Sequence, residues 1–146
     1  MRIIRSNQML GESEPGSEER FTGIVDLQRL KPEPIRPAKV LPIRMLRSSF
    51  KQTARSYWHT HPSGQILYVE SGRGRVGWKD MSGMSRVEEI GRGDTVIIEP
   101  DEKHWHGAAP DIGIVQLAVH VDSFFDESYP VSEDDYGTSL RYQSSE

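Results

Sequence analysis

The sequence predicts an all-β domain, a sandwich or barrel with extended polar arms at both ends. Three observations lead there. Seven short β-rich segments, at 40–46, 56–61, 65–69, 74–78, 86–90, 95–98 and 114–121, are separated by Gly, Pro, Ser or Asp. No window repeats apolar residues at i, i+3, i+4 and i+7 over three helical turns. The 13 glycines and 9 prolines supply the tight turns that many short strands need.

The 146 residues fit one domain with a single core. Lys and Arg number 18 against 22 Asp and Glu, a net charge of -4, and the pI is about 5.7. That balance argues against a surface built to neutralise nucleic-acid phosphates or lie on an anionic membrane. The absence of cysteine excludes disulfides, zinc ribbons, iron-sulfur clusters and cysteine nucleophiles. After the first Met only Ile3 and Ile4 are apolar before charged sequence resumes, too little for a signal peptide or membrane span. The protein therefore reads as cytoplasmic.

Residues 1–39 read as an N-terminal arm. Its stretch 11–20, GESEPGSEER, is polar and turn-rich. Residues 21–25 are strand-like and too short to stand alone, so they should form one edge strand in their own barrel or a partner's. Pro32, Pro34, Pro37 and Pro42 keep 31–39 extended. Residues 40–122 hold the barrel strands, with a hairpin tip at 80–83. Residues 123–146 form a tail with six acidic residues and one basic. It should be extended and pack back in part through Phe124, Phe125, Tyr129, Tyr136 and Tyr142.

All five histidines, His59, His61, His104, His106 and His120, fall within the predicted barrel. Strand side chains alternate faces, so His59 and His61 point one way from one strand, as do His104 and His106 from another. The turn at 62–64 lets Gln65 present its amide oxygen where His59 and His61 aim. Three or four such donors at one point suit a borderline or moderately hard divalent ion. Leu67, Val69, Gln116 and Ala118 should share that interior, making a mostly apolar pocket for a small molecule. Trp58 and Trp105 alternate to the opposite face and should pack between sheets. Arg44 and Arg47 read as solvated surface rather than an anion site.

The stretch WHTHPSGQ at 58–65, followed by Gly72, resembles the first cupin motif, H-x-H-x(3)-E-x(6)-G, with Gln65 in place of Glu. Gly93 through His104 resembles the second motif in spacing, twenty residues further on. The resemblance implies a jelly-roll barrel of two antiparallel sheets, commonly a homodimer, with one divalent metal held by His59, His61, Gln65 and His104. Thr53, Glu99, Asp101 and Ala108 depart from residues the motifs usually carry. Asp101 can still adopt a left-handed turn. With the words WHTHPSGQ and EKHWHGA and the segment at 21–23, the chain looks like the small manganese-dependent (R)-selective hydroxynitrile lyase cupins, whose ligand set is three His and one Gln.

That resemblance implies Lewis-acid chemistry on a small hydroxy or carbonyl compound, with cyanohydrin cleavage as the named case. Manganese is the metal implied first, with iron, zinc or nickel able to replace it. Three imidazoles and an amide leave the ion's charge uncancelled, which favours a developing oxyanion. His106 and His120 are the candidates for taking the substrate proton, and His106 can instead orient a ligand. Gln116 stands where the lyase-like relatives carry a His. An iron-dependent dioxygenase and a non-catalytic small-molecule-binding cupin are the other readings.

Overall fold

The computed structural model describes residues 12–29, 43–121 and 128–137. The proline-rich stretch 31–39 and the tail aromatics Phe124, Phe125 and Tyr142 lie outside them. Ten strands follow in order: β1 (Glu14–Pro15), β2 (Phe21–Thr22), β3 (Val25–Arg29), β4 (Arg44–Phe50), β5 (Arg55–Ser56), β6 (Gln65–Lys79), β7 (Ser85–Gly91), β8 (Thr95–Ile98), β9 (His104–Ala108) and β10 (Ile114–His120). Among the described residues one short helix, α1 (Glu133–Tyr136), follows them. No helix among the described residues is long and apolar enough to cross a membrane.

All strand pairs are antiparallel. The first sheet runs β1-β3-β4-β10-β6-β8 and the second β2-β5-β9-β6-β7. The two predicted strands at 65–69 and 74–78 are thus one strand of fifteen residues, β6. Its first half pairs with β8 and β10, and its second half with β7 and β9. It changes sheets at Gly72, whose φ is 80° and where a Cβ would meet the Gly113 carbonyl oxygen. The β10 pairing shifts register nearby, between Val115 and Gln116, and this irregularity bends the ladder into a barrel.

The single strand expected at 21–25 is split. Gly23, at φ 83°, breaks it so that β2 joins β5 in the second sheet while β3 joins β4 in the first. Both pair within this chain. The segment predicted at 56–61 is a strand only at Arg55–Ser56, followed by isolated bridges from Trp58 to Tyr129 and His59 to His104. Thr53 and Asp101, at positions where the cupin motifs carry glycine, hold left-handed φ values of 67° and 61°.

The main core fills the space between the sheets with Val25, Phe50, Leu67, Val69, Val76, Ile98, Ile114 and Ala118 among others. Trp58 and Trp105 do not join it. They form a second cluster with Val131 and Tyr136 on the outer side of the second sheet. This corrects the expected packing between sheets: the C-terminal segment supplies the apolar cover that lets both indoles face outward yet stay fully buried. Among its described residues the tail packs back through Tyr129 and Tyr136 as expected, but it is not extended throughout: it holds α1, capped by the Ser132 hydroxyl accepting from Asp135 N–H and closed by left-handed Gly137.

Candidate metal centre

Alternation on β9 turns His104 and His106 inward while Trp105 points out. His59 is brought beside His104 by a two-way main-chain bridge, each N–H donating to the other's carbonyl at 2.9 and 3.0 Å. Gln65 opens β6 after the turn at Gly64, whose N–H bonds the His61 carbonyl at 3.0 Å. The Asp101 N–H donates to that same carbonyl, tying together the loops that precede β6 and β9.

One ligand atom each from His59, His104 and His106 lies within 4.8 Å of the others, and all three residues are buried. His106, expected as a proton carrier, therefore lies inside the tightest cluster. His61, expected as a ligand, adjoins it: its ring centroid is 5.1 Å from His59 and 5.7 Å from His104. His61 also stacks on His120 at 4.9 Å. The Gln65 amide oxygen is 3.3 Å from His104 Nε2. Arg47, read as surface, is ion-paired with Glu70 at 2.9 Å.

Main-chain hydrogen bonds select the tautomer of two of the three clustered histidines. His59 Nδ1 donates to the Tyr57 carbonyl and His104 Nδ1 to the Glu102 carbonyl, each at 2.7 Å. His106 Nδ1 lies 2.7 Å from Gln116 Oε1. Carbonyl oxygens of the main chain only accept, so Nδ1 of His59 and of His104 carries the ring's proton and Nε2 keeps a lone pair.

Burial also keeps the rings neutral. Loss of hydration, reinforced by neighbouring histidines, holds His59 well below the ordinary histidine range. Burial brings His104 down to about 3 and His106 to about 4, although the Glu102 and Gln116 hydrogen bonds oppose the shift. Neutral imidazoles with bare Nε2 atoms, beside an amide oxygen, form a donor set that fits a divalent cation.

A cavity of about 50 Å³ adjoins this set, lined by His59, His61, Gln65, His106 and His120, with Phe21, Leu46 and Ala118 as its apolar wall. Ser48 and Ser56 add hydroxyls, and the Ser56 oxygen accepts from His106 N–H at 3.1 Å. Phe21, Arg20 and Ser128 come from the two arms and were not picked out from sequence as site residues. The strand-like break in the polar N-terminal stretch was the signal for Phe21, whereas nothing in the sequence marked Ser128.

A small antiparallel barrel with a histidine-lined interior is the architecture of a cupin. The chain belongs to the cupin family, whose domain pattern matches residues 47–121. It is 43% identical over 104 residues to an (R)-mandelonitrile lyase from Granulicella tundricola, covering 71% of this chain and 73% of that protein. A cupin-like protein from Thermotoga maritima superposes with a TM-score of 0.68 at 31% identity, over 86% of this chain and 92% of the other. A polyketide cyclase from Streptomyces resistomycificus shares the fold, with a TM-score of 0.60 at 19% identity over 97% and 94% of the two chains.

Proposed function

We propose that this chain is a metal-dependent lyase that cleaves a small cyanohydrin into a carbonyl compound and cyanide. The observation that carries this reading is the buried gathering of His59, His61 and His104 beside the Gln65 amide, with His106 adjoining at the cavity. Similarity to a protein named (R)-mandelonitrile lyase supports the reaction class. In this reading His59, His61, Gln65 and His104 hold one divalent ion, manganese. When bound, the ion supplies Lewis-acid stabilisation of charge on the substrate oxygen without a change in redox state.

The chain's own groups do the rest. Phe21, Leu46 and Ala118 give the substrate's organic group an apolar surface, and the small cavity favours a compact molecule. His106, kept neutral by burial, accepts the substrate hydroxyl proton at Nε2. The O–H electron pair becomes the second bond of the carbonyl. The bond to cyanide breaks, and its electrons leave on the cyanide carbon. Proton return from His106 gives hydrogen cyanide, so no oxidant or reductant is consumed. His120, stacked on His61 and lining the cavity, relays protons.

The test is elemental mass spectrometry on tag-free protein grown with manganese, iron or zinc, followed by anaerobic mandelonitrile cleavage. The expected result is near-stoichiometric manganese and benzaldehyde release without oxygen. Iron occupancy with oxygen-dependent turnover would replace this reading with a dioxygenase. Metal retention without turnover on any cyanohydrin would leave a binding protein.

A further inference from the structure

Two of the three clustered histidines have their tautomer set by main-chain carbonyls two residues upstream, Tyr57 for His59 and Glu102 for His104. Those carbonyls are fixed by the fold and cannot donate. His106 differs, because its Nδ1 partner is a side-chain amide, Gln116, which reaches across the barrel from the first sheet to the second. Gln116 is fully buried, and its Nε2 has no hydrogen-bond partner among the described residues. It lies where the β10·β6 pairing shifts register, an irregularity that re-aims a side chain.

A glutamine amide can present either face. With Oε1 toward His106, the ring proton stays on Nδ1 and the Nε2 lone pair is free. With Nε2 toward His106, the ring proton moves to the other nitrogen. Amide orientation and ring tautomer are therefore one coupled choice. We propose that Gln116 is a positioning residue that holds the His106 ring with its proton on Nδ1 and its lone pair on Nε2. The inference rests on the lyase reading for what that lone pair does, but the tautomer itself does not depend on turnover.

The same geometry gives internal controls. Removing the Gln116 acceptor should release the His106 tautomer and leave those of His59 and His104 in place. A general disturbance of the barrel would move all three.

The experiment is long-range 1H–15N correlation NMR on the full-length chain, metal-free and zinc-loaded, with each histidine assigned by substitution. In the wild-type protein His106 should show a protonated Nδ1 and an unprotonated Nε2. In Gln116→Met, which keeps length and loses the acceptor, His106 should show averaged or reversed nitrogen shifts while His59 and His104 stay unchanged. Metal content should stay the same, and kcat for mandelonitrile cleavage should fall about tenfold or more, the scale typical of lost orienting partners.

A wild-type spectrum with the proton on His106 Nε2 overturns the proposal, and this measurement stands even if Gln116→Met does not fold. An unchanged His106 tautomer in folded Gln116→Met overturns it as well. The predicted tautomers without cyanohydrin cleavage would sink the lyase reading and leave the role of Gln116 intact.

Discussion

The Arg55 guanidinium lies 4.3 Å from the centroid of the Tyr136 ring, and Arg75 covers the same ring at 5.1 Å. The ring is fully buried, and its hydroxyl donates to the Ala108 carbonyl at 2.7 Å. Arg55 also binds the Val131 carbonyl at 3.0 Å and Glu133 at 2.8 Å. Ala108 closes the strand that bears His104 and His106, so the C-terminal segment braces the back of the site.

Tyr136→Ala should destabilise the protein by about 3–5 kcal/mol, the usual cost of emptying a buried aromatic site. Tyr136→Phe should cost only about 1 kcal/mol, through the lost hydroxyl contact. Denaturant midpoints of the two variants give the comparison. Equal losses would show that the ring contributes nothing beyond its hydroxyl.

His59→Ala and His104→Ala should each reduce bound metal about tenfold or more while leaving the circular dichroism spectrum of the barrel unchanged. Elemental analysis after dialysis reads the occupancy. Full retention in either variant would remove that residue from the ligand set.

The metal-free protein should lose stability on acidification. An unfolded histidine titrates near 6.5, whereas burial holds His104 at about 3 and His106 at about 4. Between those values the unfolded chain binds more protons than the folded one, so stability falls as pH drops from 6.5 toward 4. The slope is up to about 1.4 kcal/mol per pH unit for each such histidine. Above 6.5 both states are neutral and these groups add no slope. Urea midpoints from pH 4 to 8 test it, and a flat profile would contradict the buried neutral rings.

Thr53→Gly should raise stability by about 1 kcal/mol. Thr53 is exposed and held at φ 67°, which costs a β-branched residue more than the backbone entropy that glycine brings. Thermal unfolding decides the sign. A lower Tm would mean that the side chain contributes more than its exposure suggests.

Ile66 and Tyr68 on β6 and Ile97 on β8 share the outer face of the first sheet, and Ile66 pairs directly with Ile97. They are 46%, 44% and 69% exposed. If the expected homodimer forms by sheet packing, a second copy of this chain should cover that face, with Ile97→Lys giving a monomer. Native mass spectrometry distinguishes the two. A monomeric wild-type mass would leave the patch without this role.

Period-two alternation marked His104 and His106 as a pair on one face, and β9 holds them so. The set His59, His61, Gln65 and His104 came from the resemblance to the cupin motifs, and His59 and His61 follow the short β5 through isolated bridges and a turn rather than along a regular strand. The joining of 65–69 to 74–78 was not legible: Gly72 reads as a turn signal, yet its left-handed φ here lets one strand cross between sheets. The outward seats of Trp58 and Trp105 were hidden for a different reason. Their cover comes from Val131 and Tyr136, in a segment whose acidic composition carries no periodic signal. Gln116 was visible as an inward residue, but its reach to His106 depends on a register shift that sequence does not encode locally.

The unusual length of β6 has a mechanical consequence. Gln65 begins the strand, and Trp78, thirteen residues on, pairs with His104, yet the Gln65 amide also reaches His104. Laid straight, that stretch would span about 43 Å, so the two ends meet at one histidine only because the strand is curled. A cation shared by these two acceptors would work as a buckle. It could bind only after the barrel has rolled up, and it would resist uncurling. Occupancy of the centre would then be measurable as a slower unfolding rate, with the folding rate nearly unaltered.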